Sequence, residues 1–297
     1  MSLKMLRFLL PFFCIWFLPA VLQAQERTVV DELGYSFTTG DYPRRVVSLA
    51  PEVTEIIYAC GCGGKLVAVS EYSDYPEAAR SLPQVGSYAR PDLEKIVSFA
   101  PDMVVGSASG NAERTISRLR ELGIKVYVIF PRGVKGALKS LASIANLLGC
   151  GEQGKRYSKS LAAAFDSYRA LPVEKSHDAV ILFNLEPPVS SGADTLSDDL
   201  LSWVGFRNIL HDSSIRYPAV SLEWLVAENP EFVFLAIQSG DGKAAEELFQ
   251  RFSGMQAVRK KQVITINPDL ISRAGPRLVE AAALLRGALL DSRGKKH

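Results

Sequence analysis

An alternation running nearly the whole length of this chain constrains its fold more than any other feature. Short, uniformly apolar stretches recur: RVVSLAP (45–51), KLVAVS (65–70), PDMVVGS (101–107) and IKVYVIF (124–130). Between and after them lie segments of helical character: EVTEIIYAC (52–60), DLEKIVSFA (92–100), NAERTISRLRELG (111–123) and VKGALKSLASIANLLG (134–149). A strand buried on both faces reads as a continuous apolar run. Strands alternating with helices imply βαβ units and a parallel sheet. The pattern then starts again, with strands at DAVILFN (178–184), PEFVFLAI (230–237) and QVITINP (262–268) and helices at DTLSDDLLSWVG, SLEWLVAEN and 276–290. Between the two series lies EQGKRYSKSLAAAFDSYRALP (152–172), bounded by Gly151 and Pro172 and longer than an average helix. The expected fold is α/β: two lobes with mainly parallel central sheets flanked by helices, joined by one long interlobe α-helix. Residues 25–150 form the expected N-terminal lobe, 151–173 the interlobe helix and 174–297 the C-terminal lobe. RTVVDELGYSFTTGDYP, turning at Gly34 and Gly40, reads as a short hairpin ahead of the first lobe.

The two series share wording. DLEKIVSFAPDMVV (92–105) and SLEWLVAENPEFVF (221–234) match at Leu93/Leu222, Glu94/Glu223, Val97/Val226, Pro101/Pro230, Asp102/Glu231 and Val104/Val233. KVYVIFP in the first half also matches QVITINP in the second. We read this as duplication at the level of lobes. Leu93, Val97, Leu222 and Val226 are expected on the core faces of their helices. Glu94 and Glu223 each follow an N-cap candidate, Asp92 or Ser221, where a helix N-terminus stabilises a carboxylate by about 0.3–1 kcal/mol.

Residues 1–24 differ in kind. Lys4 and Arg7 precede an apolar run from Phe8 to Leu22, which ends in small residues at Ala24. This is the pattern of a secretory signal peptide, and the run is shorter than the roughly 20 residues of a spanning helix. A periplasmic or secreted mature chain is expected, and its loss of Lys4 and Arg7 removes the net charge of +2. Without a block of like charge, nucleic-acid binding has no electrostatic footprint. Of the four cysteines, Cys14 leaves with the signal. Cys150 is expected to bridge Cys60 or Cys62, which are too close together to bridge each other, so one thiol is left over.

No constellation for catalysis stands out. GSASG (106–110) carries Ala where a nucleophile elbow needs Ser. Phosphate-binding glycine loops are missing, zinc has no ligand cluster, and His177 and His211 read as solvated loop residues. Loops at the carboxyl ends of the strands carry more. There, open α/β sheets bind ligands, and these loops hold Tyr72 and Tyr75, Tyr88 and Arg90, Tyr217, and then Asp269, Arg273 and Arg277. Aromatic faces suit a flat, bulky ligand, which a few polar groups orient.

With these residues placed, the chain resembles the periplasmic substrate-binding proteins of ABC importers for vitamin B12, haem and ferric siderophores. The resemblance rests on RRVVSLAPEVTEIIYACG, SEYSDYP, GNAERTISRLRELGIKVYV and SRAGPRLVEAAALL, and spans roughly residues 28–290. SDYP and GNAER match the vitamin B12 branch best. The resemblance implies a monomer that performs no chemistry, with the helical-backbone architecture and a small-molecule ligand held between the lobes. It implies delivery to a permease dimer in the inner membrane with a cytoplasmic ATPase, and small closure on binding. Glu94 and Glu223 match the residues that dock one on each permease subunit. Tyr72, Tyr88, Val189, Tyr217, Asp269 and Arg273 match cleft contacts, so a cobalamin-like corrinoid is the expected ligand, with haem or a ferric siderophore as the alternative. Tyr88 and Tyr217 replace tryptophans of that branch, and Val189 replaces a phenylalanine. Its second-lobe disulfide is absent, since Val204 and Arg286 stand at those positions. The bridge expected of this chain is Cys62–Cys150. A secreted α/β enzyme and a signalling receptor module are the rival readings.

Overall fold

The computed structural model describes residues 26–170, 176–237, 247 and 249–294. The expected signal peptide at 1–24 and the end of the expected interlobe helix at 171–173 lie outside the described residues. The chain opens with a hairpin in which β1 (Arg27–Val30) pairs antiparallel with β2 (Ser36–Thr39).

The first sheet contains β3 (Val46–Ser48), β4 (Leu66–Val69), β5 (Met103–Ser107) and β6 (Val126–Ile129), all parallel, in the order β4-β3-β5-β6. Helix α1 (Pro51–Ala59) follows β3, α2 (Leu93–Ser98) precedes β5, α3 (Glu113–Glu121) joins β5 to β6, and α4 (Gly133–Leu148) follows β6. Both faces of this sheet are covered, which is why its strands are apolar throughout. Val46, Met103, Val105 and Ile129 pack with α1 and α4 on one face. Val47, Val104, Val126 and Val128 pack with Ile96 of α2 and Leu119 of α3 on the other.

Helix α5 (Gly151–Ala170) leads to the second sheet, built from β7 (His177–Leu185), β8 (Pro188–Ser190), β9 (Phe206–Asn208), β10 (Phe232–Ala236) and β11 (Val263–Ile266). Strand β7 is long enough to pair twice: its start lies parallel to β9 and its end antiparallel to β8. Strands β10 and β11 continue the parallel sheet on the other side. The parallel strands therefore run β9-β7-β10-β11, the order of β4-β3-β5-β6 written in a second set of parts. Helices α6 (Leu196–Trp203) and α7 (Leu222–Glu228) flank it, and a C-terminal helix, Leu278–Gly294, closes the chain. Val134 and Ala137 of α4 and Phe165 of α5 share one apolar cluster with α6 and the C-terminal helix, so the two halves meet through packed helices.

Several expectations need correction. Val97 is 46% exposed, and the residue that α2 buries is its neighbour Ile96. Its counterpart helix buries Leu225, while Leu93, Leu222 and Val226 are partly buried. His177 is not a loop residue: it opens β7, half-buried, with Nδ1 3.1 Å from Glu231 Oε2. The segment after β11 starts with a helical turn, Pro268–Ser272, capped by the Asn267 side chain. The antiparallel β8 and the three-residue β9 give too short an apolar signal to be read in advance.

Candidate functional site

Loops from both sheets carry the tyrosines singled out above. Immediately past β4, Tyr72 adopts φ 63° and is 69% exposed. A left-handed backbone at a non-glycine residue costs of order 1–2 kcal/mol and marks sites where neighbours enforce the conformation. Tyr88 is 40% exposed, and its ring occupies the space that a side chain at Gly110 would fill. The buried amide of Asn111 holds it there. Asn111 Nδ2 donates to Tyr88 O at 2.6 Å and to Leu49 O at 2.9 Å, while Oδ1 accepts from Ser107 N at 2.7 Å. One side chain thus ties the Tyr88 loop to the carboxyl ends of β3 and β5. In the other half, Val189 lies on β8 and bridges to Ala219, two residues beyond Tyr217 in the chain. The Tyr217 ring is 54% exposed and packs edge-on against Phe183 with centroids 6.2 Å apart. Among the described residues, no ring pair joins Tyr72 or Tyr88 to Tyr217.

Asp269 and Arg273 do meet, within a network that crosses between the halves. Arg273 Nη2 lies 2.9 Å from Asp269 Oδ2, while Nη1 donates to Glu55 Oε1 at 3.1 Å and to Asp74 Oδ1 at 3.3 Å. Arg277 binds the same Glu55 through Nε at 3.0 Å and Nη2 at 2.6 Å, and its guanidinium lies 4.2 Å from the centroid of the Tyr75 ring. Glu55 sits on α1 of the first half, and both arginines follow the Pro268–Ser272 turn of the second. Burying a carboxylate is costly unless it is paired and hydrogen-bonded, and Glu55 accepts from two guanidinium groups. One helical turn earlier, Glu52 is also buried. Burial pushes its carboxyl upward from 4.5, and a hydrogen bond from Ser107 opposes the rise.

Glu55, Asp74 and Asn111 escaped the sequence reading. Two glutamates three residues apart in the otherwise apolar EVTEIIYAC were the available signal. An acid on the inner face of a buried helix needs a partner.

A cavity of about 830 Å³ opens between the halves, lined by Phe130, Arg132 and Lys135 on one side and Asp194, Trp203 and Arg216 on the other. None of the sequence-predicted ligand residues lines it. His211, on its wall, is held by Asp198 at 3.0 Å, and that hydrogen bond raises its imidazole above the usual 6.5. Among the described residues, no group of His, Cys, Asp and Glu is arranged to hold a metal ion, and no helix is long and apolar enough to cross a membrane.

Glu94 and Glu223 are both exposed, in the first turns of α2 and α7, and the Asp92 and Ser221 side chains cap those helices. Cys62 and Cys150 form a disulfide with Cα atoms 6.2 Å apart, and Cys60 is a buried free thiol. Arg286 Nη1 donates to Val204 O at 3.1 Å, so these two positions touch by a hydrogen bond.

Comparison with known proteins bears on the family and the fold. The sequence profile of a family described as "Periplasmic binding protein" matches residues 46–270. A vitamin B12-binding protein of Photorhabdus laumondii is 32% identical over 251 residues, covering 84% of this chain and 89% of the relative. The crystal structure of the periplasmic vitamin B12 binding protein of Vibrio cholerae superposes with a TM-score of 0.74 at 27% identity, covering 84% of this chain and 98% of that one. A periplasmic haem-binding protein from Roseiflexus sp. RS-1 gives 0.75 at 23% identity, covering 84% and 98%, a likeness of fold.

Proposed function

The chain belongs to the periplasmic binding protein family, and from that premise we propose that it captures a cobalamin-like corrinoid and hands it to an ABC importer. In this reading residues 1–24 are removed on export. Residues 25–150 and 174–297 act as the two lobes around the cleft, and 151–173 as the helix joining them. Tyr72, Tyr88 and Tyr217 line the cleft with aromatic faces, Val189 leaves room beside Tyr217, and Asp269 and Arg273 form its polar floor. Glu94 and Glu223 meet the two permease subunits.

One observation carries the reading. Three tyrosine rings, from loops of both halves, are 40–69% exposed, each on a loop near the strand ends where ligands of open α/β sheets bind. Exposed aromatic faces offer a flat, bulky ligand apolar contact. Vitamin B12-binding relatives support the corrinoid within that class. A second reading, haem, draws on the phenolic oxygens of Tyr88 and Tyr217, since tyrosinate is a known axial ligand of ferric haem. Titration of the purified mature protein with cyanocobalamin, haemin and ferric siderophores, followed by tryptophan fluorescence, tests both. Saturable quenching by cyanocobalamin at micromolar or lower concentration is expected. Quenching by haemin alone overturns the corrinoid reading in favour of the second.

A further inference from the structure

Arginine is the side chain best suited to bind a carboxylate, through its planar, bidentate fork. A ligand carrying free carboxylates, such as the two propionates of haem, would look to Arg273 and Arg277. Neither is available. Arg273 is shared among Glu55, Asp74 and Asp269, and Arg277 is held by Glu55 through two nitrogens. The guanidinium-bearing side chains are only 12% and 10% exposed, whereas Asp74 and Asp269 are 49% and 31% exposed. Three carboxylates face two cations, and the surplus lies on the solvent side. A ligand that reaches this floor meets acceptor oxygens. These suit amide N–H donors and repel anions.

We propose that Glu55 is a specificity-determining residue: by occupying both guanidinium groups from the opposite half, it selects amide-bearing ligands over carboxylate-bearing ones. The inference rests on the corrinoid reading above, and adds that discrimination is built partly by repulsion, the device of a site that rejects a competitor. Glu55 touches no ligand in this scheme. It sets the charge that Arg273, Asp74 and Asp269 present.

The test compares affinities for cyanocobalamin, which bears amides, and haemin, which bears two carboxylates, in wild type and Glu55→Gln. Freed of Glu55, the guanidinium groups take a propionate, and the haemin-to-cyanocobalamin affinity ratio rises by at least about tenfold, which is about 1.4 kcal/mol. Haemin dimethyl ester, with no free carboxylate, should gain nothing. A loosened cleft would favour haemin and its ester alike, so equal gains refute the proposal. Removing a buried acid can unfold a protein, so Asp74→Asn, a half-exposed partner of the same arginine, serves as the second variant. Its ratio should move about threefold the same way, the scale of an exposed charge pair. An unchanged ratio in every folded variant overturns the proposal while leaving the corrinoid reading intact. Preference of the wild type for haemin overturns both.

Discussion

At Glu52 a carboxyl is carried into the protein interior beside the Glu55 network. Burial is the main cause of its upward shift from 4.5, and the Ser107 hydrogen bond and the negative charge of Glu55 act in opposite senses on top of it. The linkage has a definite sign. An acid whose folded value is raised contributes stability fully below its unfolded value of 4.5, and loses it as pH rises through the folded value. Glu52→Gln should therefore leave the melting temperature nearly unchanged below pH 4.5. Toward alkaline pH the variant should become the more stable protein, because burial of the ionised Glu52 carboxylate is what raises its value. Thermal melts of both proteins across pH read this directly, and a constant difference at all pH values would refute the assignment. At this scale the sequence supplied the aromatic residues, Asp269 and both arginines, but not Glu55 or Asp74. Tyr72, Tyr88 and Tyr217 announce themselves because a large ring in a polar loop has no local explanation. Glu55 does not, because its partners Arg273 and Arg277 stand more than 200 residues away, and no local pattern encodes that pairing.

Helix α1 is anchored at two points. Its Glu55 holds the second half, and Cys62, just beyond its end, is bonded to Cys150 at the junction of α4 and α5. The bridge joins residues 88 apart in sequence, a loop long enough for its removal to release much chain entropy. Cys62→Ser should lower stability by about 2–4 kcal/mol, measured by urea unfolding against wild type with and without reductant. Reductant should abolish the difference, and a difference that persists would place the loss in packing. Cys60 will not take over the bond: burial pushes its thiol up to about 12, so the thiolate needed for exchange is scarce. Strands of continuous apolar residues and helices longer than two turns were legible because period and burial agree. Strands β8 and β9 are three residues each, below the length at which periodicity carries information. They exist through pairing with β7, a tertiary effect. Val97 shows the other limit: α2 is six residues long, so a single i, i+4 match does not decide which side it buries, and Ile96 took the core.

Across the whole molecule, the repeated wording gains a geometric counterpart. Helix α2 leads into β5 and α7 into β10, and each of those strands is third in the same parallel order, β4-β3-β5-β6 or β9-β7-β10-β11. Glu94 and Glu223 therefore occupy equivalent places on two units of the same parallel strand order, each in a first helical turn. A two-subunit permease would read such a pair as two copies of one contact. Since α4 and α5 pack into the cluster that also holds α6 and the C-terminal helix, the halves share a core, and binding should change the scattering profile little. The glutamates would then hold a nearly fixed spacing whether or not ligand is present. Rim charges of this kind set encounter rate and orientation more than affinity. The double variant Glu94→Ala, Glu223→Ala should bind its ligand within about twofold of wild type, the scale of a screened, distant charge. Its uptake rate through the permease should fall by an order of magnitude or more. Each single variant should fall less, and Lys at both positions should fall furthest, because attraction becomes repulsion. Salt supplies an independent check: wild-type association with the permease should slow as ionic strength rises, and the double variant should be nearly insensitive. Normal uptake by the double variant would leave these glutamates as ordinary helix-terminal charges, stabilised by the N-termini on which they sit.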